Sequence, residues 1–138
     1  MNSSLDLLTA QGLAAQGIVA TRASNGDFRV AARCDDVGDL VVSCENSEIT
    51  VYVGDVTHCH FTPFAAYDNV PEYTETECAA DAVQFVADVV NDKWIIWKVP
   101  GGASGCYRPD GDDYDAANAP LPGESVLRFV WSGPIAGA

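Results

Sequence analysis

The fold class this sequence predicts is α+β: a mainly antiparallel sheet of about six strands, a long amphipathic helix packed on one face, and a short N-terminal helix. Three observations carry it. Apolar and polar side chains alternate with period two over residues 28–34, 39–44 and 48–53, the pattern of strands with one buried face. Thr74 and Glu77 fit a capping box, and Ala79, Ala82, Val83, Val86 and Val90 then recur at helical spacing. The 138 residues, 48% of them hydrophobic, suffice for one self-supporting core, so residues 1–138 are read as a single domain.

Taken in order, Ser3 or Ser4 caps a first helix whose Leu5, Leu8 and Ala15 share a face, and Gly17 ends it. Gly12 in its middle argues against it on propensity. Residues 18–34 read as a hairpin around Asn25-Gly26, the dipeptide suited to a type I′ turn. Its second arm turns Phe28, Val30, Ala32 and Cys34 inward and Arg29 and Arg33 outward. Residues 39–44 and 48–53 repeat the logic around Glu45-Asn46-Ser47, with Leu40, Val42, Ile49, Val51 and Val53 inward. Four consecutive strands form a meander, because sequential strands usually pair.

A polar, aromatic, proline-containing stretch from 62 to 73 interrupts the sheet. The capped helix follows, its stripe widened by Phe85 and Val89, with Asp81, Gln84 and Asp88 on the opposite face. Residues 94–99 are too short for a helix and are bounded by Pro100-Gly101-Gly102, so they read as a strand with 104–108 returning beside it. On that strand Trp94 and Trp97 project to opposite faces, and at most one is core. Residues 109–123 form the longest loop. A last strand, 125–131, turns Leu127, Phe129 and Trp131 to one side, and Gly133-Pro134 stops it.

Twenty Asp and Glu against seven Lys and Arg give a formal net charge of -13. That balance disfavours nucleic acid, because phosphate binding depends on cationic side chains releasing counterions. It disfavours an anionic membrane surface for the same reason. The first residues have no basic region, and no window approaches the roughly eighteen apolar residues of a membrane helix, so a cytoplasmic protein is expected. Five cysteines, odd in number and without C-x-x-C spacing, predict neither a zinc finger nor a disulfide framework, and read as buried thiols.

The densest chemical cluster is Asp55-Val56-Thr57-His58-Cys59-His60-Phe61. If extended, it sends His58 and His60 to one side and Cys59 to the other. Two imidazoles are two ligands, and a zinc site needs a third from Asp55, Glu45 or a loop aspartate. The imidazoles otherwise serve as hydrogen-bonding groups at a strand end or interface. The loop segment Asp110-Gly111-Asp112-Asp113-Tyr114-Asp115 lacks the ligand order and closing glutamate of an EF-hand. With Tyr107 and Trp97 it reads instead as a docking patch for a cationic protein, aromatic anchors among carboxylates. No phosphate loop, serine elbow or H-E-x-x-H is present, so neither an enzyme nor a cofactor is expected.

The stretch ITVYVGDVTHCHFTPF, followed by the capped helix and Trp94-Ile95-Ile96-Trp97, resembles a group of small bacterial proteins of uncharacterised function that carry a TVYFGDxHxHF-type strand, a helix and an aromatic strand. In size, acidity and α+β layout the chain is also similar to immunity proteins of bacterial toxin systems. That likeness implies a non-enzymatic inhibitor that covers a basic toxin domain. The alternative is a small metal-binding domain or metal-dependent enzyme centred on His58 and His60.

Overall fold

The computed structural model describes residues 4–110, 119–120 and 126–135. In chain order the elements are α1 (Ser4–Ala15), β1 (Thr21–Arg22), β2 (Phe28–Val30), β3 (Leu40–Glu45), β4 (Glu48–Val53), β5 (Thr57–Phe61), α2 (Glu75–Val90), β6 (Ile95–Lys98), β7 (Ser104–Tyr107), β8 (Leu127–Val130) and β9 (Gly133–Pro134). The α+β class holds, but the strands form two antiparallel sheets where one of about six strands was expected. One has the order β1-β2-β3-β4-β5 and the other β7-β6-β8-β9. The meander is the first sheet, extended by β5. In the second, β6 takes β7 on one side and β8 on the other, so β6 itself has no free edge, and among the described residues no ladder joins the two sheets.

The turns differ from expectation in an instructive way. At Asn25-Gly26 only Gly26 is left-handed (φ 95), Gly26 N–H donates to Ala23 C=O, and Ala23 N–H donates to Asp27 C=O. That is a type I turn closed by a glycine bulge. The two-residue turn with both φ positive falls instead on Asn46 (φ 55) and Ser47 (φ 59), between the paired Glu45 and Glu48. β2 stops at Val30, where the Asp39 carboxylate takes the Ala32 N–H (2.8 Å) and pairs with Arg29 (3.0 Å). These bonds hold the Asp39 carboxyl below its ordinary value, the Ala32 amide contributing most. Gly54, before β5, is packed so tightly that a Cβ would lie 1.6 Å from the Val37 carbonyl oxygen.

One buried cluster joins both sheets and both helices. Leu40, Val42, Ile49, Val51 and Val53 of the first sheet meet Val83, Val86 and Val89 of α2, Leu5 and Leu13 of α1, Ile96 and Phe129 of the second sheet, and Trp131 in the turn between β8 and β9. The capping box is formed: Thr74 Oγ1 accepts the Glu77 N–H (3.1 Å), and the Thr74 N–H donates to Glu77 Oε1 (3.3 Å). α1 ends at Gly17 (φ 71), with Gly17 N–H to Ala14 C=O and Ile18 N–H to Leu13 C=O. Its buried stripe is Leu5, Thr9 and Leu13, whereas Ala15, expected inward, is exposed. Gly12 costs helix propensity but lets α1 approach α2, since a Cβ there would sit 2.8 Å from Val83 Cγ2.

Two further expectations are corrected. Asp88, placed on the wet face of α2, is buried and held by Gln84 (2.9 Å), with Lys93 and Arg108 each at 3.7 Å. Leu127, placed inward with Phe129 and Trp131, is exposed, because β8 starts beyond the edge of the core. Among the described residues no helix is long and apolar enough to cross a membrane. All five cysteines are free thiols, Cys78 and Cys106 buried and the others partly so.

Candidate functional site

The β4–β5 register places His60 opposite Thr50 and His58 opposite Tyr52. Alternation therefore gathers Glu48, Thr50 and Tyr52 of β4 with His58, His60 and the following Thr62 on the outer face, and turns Cys59 and Phe61 inward. Glu48 is the hub. Its Oε1 lies 2.6 Å from His60 Nδ1 and accepts the Thr50 hydroxyl at 3.2 Å, while Oε2 accepts the Thr62 hydroxyl at 2.9 Å. The Thr62 bond, followed by the His60 bond, holds the Glu48 carboxyl below its ordinary value. The arrangement holds the His60 ring through Nδ1, and His58 meets that ring edge-on with centroids 4.9 Å apart.

This network was only half legible from the sequence. The sequence offers Asp55, Glu45 or a loop aspartate as a third metal ligand beside the imidazoles, whereas the carboxylate that reaches His60 is that of Glu48. Only the pairing of β4 with β5 brings it there. Among the described residues no group of three or more His, Cys, Asp or Glu side chains is arranged to hold a metal ion.

Of the residues expected to dock a partner, Asp112, Asp113, Tyr114 and Asp115 lie outside the described residues. Asp110 is exposed, with its Oδ1 3.4 Å from Arg108 Nε, and Tyr107 ends β7 partly buried. Trp97 is 7% exposed, with its ring against Gly105, and so presents almost no surface to a partner. Trp94 is the more accessible of the pair, packed edge-on to Phe85 at 5.0 Å between centroids.

A separate exposed aromatic surface lies elsewhere. Residues 64–73 form a small antiparallel arm, with Phe64 and Tyr73 exchanging backbone hydrogen bonds (3.0 Å each) and Tyr67 and Val70 doing the same (3.1 and 2.7 Å). The Phe64 ring stands 5.9 Å from that of Tyr67 and 5.7 Å from that of Tyr73. Phe64 is 43% exposed and Tyr67 58%, unusual for two neighbouring large aromatics. Carboxylates ring them: Asp68 and Glu72 on the arm, then Glu75, Glu77 and Asp81 along the exposed side of α2. Tyr73 Oη donates to Asp81 Oδ2 at 2.6 Å, and burial together with that carboxylate pushes its phenol up. No Lys or Arg occurs between Arg33 and Lys93, so nothing of opposite fixed charge within that segment offsets the field.

A second acidic feature sits at the far end of the first sheet. Asp35, Asp36 and Asp55, all exposed, border a cleft of about 560 Å³ with Leu127 and Lys98, whose ammonium is engaged with the Asp36 carbonyl at 2.8 Å. The sequence signal for the aromatic arm was its composition, aromatics and acids without bases. Periodicity, which finds strands and helices, is silent on such a segment. No protein-family profile, curated protein or solved structure matches the chain.

Proposed function

We propose that the protein is a non-enzymatic, cytoplasmic acidic binding protein that captures a basic protein partner, most concretely as an immunity-type inhibitor of a basic toxin domain. The observation that carries this reading is the exposed Phe64–Tyr67–Tyr73 ring cluster set among Asp68, Glu72, Glu75 and Glu77. Aromatic side chains supply large contact area with few rotatable bonds, and the surrounding carboxylates steer a cationic surface onto them. The exposed Asp110 and the cleft of Asp35, Asp36 and Asp55 extend the same negative field. A specific interface of standard size buries about 1,600 Å² in total, so a partner on the arm must extend over neighbouring surface such as the first turns of α2.

The test is association with a purified basic toxin domain, followed by surface plasmon resonance at graded salt. The association rate falls steeply as salt rises, and the Phe64→Ala, Tyr67→Ala double variant binds at least about tenfold more weakly. A complex formed at a salt-independent rate, or one indifferent to the double variant, overturns the reading.

A further inference from the structure

Two thiols meet where the sheets adjoin. β5 is the last strand of the first sheet and β7 an edge of the second, and the two lie side by side without a shared ladder. The Ser104 hydroxyl donates to the Val56 carbonyl and fixes the start of β7 against the start of β5. Two residues beyond Ser104 and three beyond Val56, the Cys106 and Cys59 thiols are hydrogen-bonded to each other. Cys59 also lines a groove of about 600 Å³ between β5 and α2, together with His60, Phe61, Phe85 and Trp94. Cys106, 9% exposed, lies behind it.

From this geometry we infer that Cys59 and Cys106 form a redox-active dithiol that hydroperoxides oxidise to a disulfide joining the two sheets. Cys59 is the attacking sulfur because the groove reaches it, and Cys106 resolves because it is already in contact. The Cys59 thiolate attacks the terminal oxygen of the hydroperoxide. The O–O bond breaks, and the departing alkoxide takes a proton to leave as the alcohol, or as water when the oxidant is hydrogen peroxide. The Cys59 sulfenic acid that remains is attacked by the Cys106 sulfur: an S–S bond forms, the S–O bond breaks, and hydroxide leaves with the Cys106 proton as water. Two thiols are oxidised by two electrons, and one peroxide bond is reduced.

The surroundings favour this pair over Cys44 and Cys78. Cys59 sits below its ordinary pKa, chiefly because Cys106 hydrogen-bonds to it. Burial instead pushes Cys44 up, and Cys78 up to about 11, leaving little thiolate at either.

The experiment treats the fully reduced chain with hydrogen peroxide and maps it by mass spectrometry without reduction. Trypsin cuts at Lys93 and Lys98, between the two cysteines, and Glu-C cuts after Glu48 and Glu72, which separates Cys59 from Cys34, Cys44 and Cys78, so a cross-link is read as joined peptides with one cysteine each. The expected result is loss of two hydrogen masses and a peptide pair linked through Cys59 and Cys106. In Cys106→Ser the Cys59 sulfenic acid accumulates and is trapped by dimedone. Oxidation that links a different pair, or that leaves Cys59 reduced while other thiols react, overturns the inference, and the map on the unmutated chain decides this even if a variant fails to fold.

Discussion

His60 Nδ1 lies 2.6 Å from Glu48 Oε1, across two neighbouring strands and on the solvent side of the sheet. Glu48 also accepts the Thr50 and Thr62 hydroxyls, so its charged form is favoured in the folded protein over the unfolded chain. A carboxyl whose pKa is depressed on folding contributes stability that is present above its unfolded value and is lost as pH falls through the folded one. The urea midpoint of the wild type is therefore expected to fall with acidification below the ordinary glutamate range. Glu48→Gln should flatten that acid limb and leave the slope above neutrality unchanged. An unaltered acid slope in the variant would remove this network from the account of stability.

Gly54→Ala tests the tightest backbone approach in the first sheet. A Cβ there would overlap the Val37 carbonyl oxygen, and the residue has φ 54. The loop must move, with an expected loss of about 3 kcal/mol in urea unfolding.

Ser47→Gly should act in the opposite direction. Ser47 holds φ 59 in the two-residue turn between β3 and β4, a conformation that strains a residue with a side chain. Relief of that strain outweighs the extra freedom glycine gives the unfolded chain, for a net gain of up to about 1 kcal/mol in urea unfolding.

Gly12→Ala sets propensity against packing. Alanine is favoured in a helix interior by about 1 kcal/mol, yet its methyl would press on Val83 at 2.8 Å. Packing is expected to win, lowering the thermal midpoint, because Val83 belongs to a close-packed core.

Phe64→Ala combined with Tyr67→Ala should lower the unfolding free energy by no more than about 1 kcal/mol, since both side chains are exposed. The same double variant loses partner binding. Separation of the two effects marks the arm as surface held for contact and not for folding.

Local rules reached as far as local interactions go. The capping box at Thr74 and Glu77, the inward set of β3 and β4, and the opposed faces of Cys59 and the histidines all follow from spacing within one element. The split into two sheets was not legible, because it depends on which edge β6 adopts after a long excursion through α2. Asp88 was misplaced for a similar reason: its cations, Lys93 and Arg108, come from beyond the helix. The Glu48–His60 contact needed a strand register, and the aromatic arm has no period to detect.

The aromatic arm has no linker between it and the long helix: Tyr73 is its last paired residue, and Thr74 is the cap. Tension applied to the hairpin by a gripping protein would thus be transmitted directly into the opening amides of α2. Occupancy of the arm should accordingly slow deuterium uptake at Glu77 and Cys78, a signature visible even where the contact itself exchanges too fast to follow.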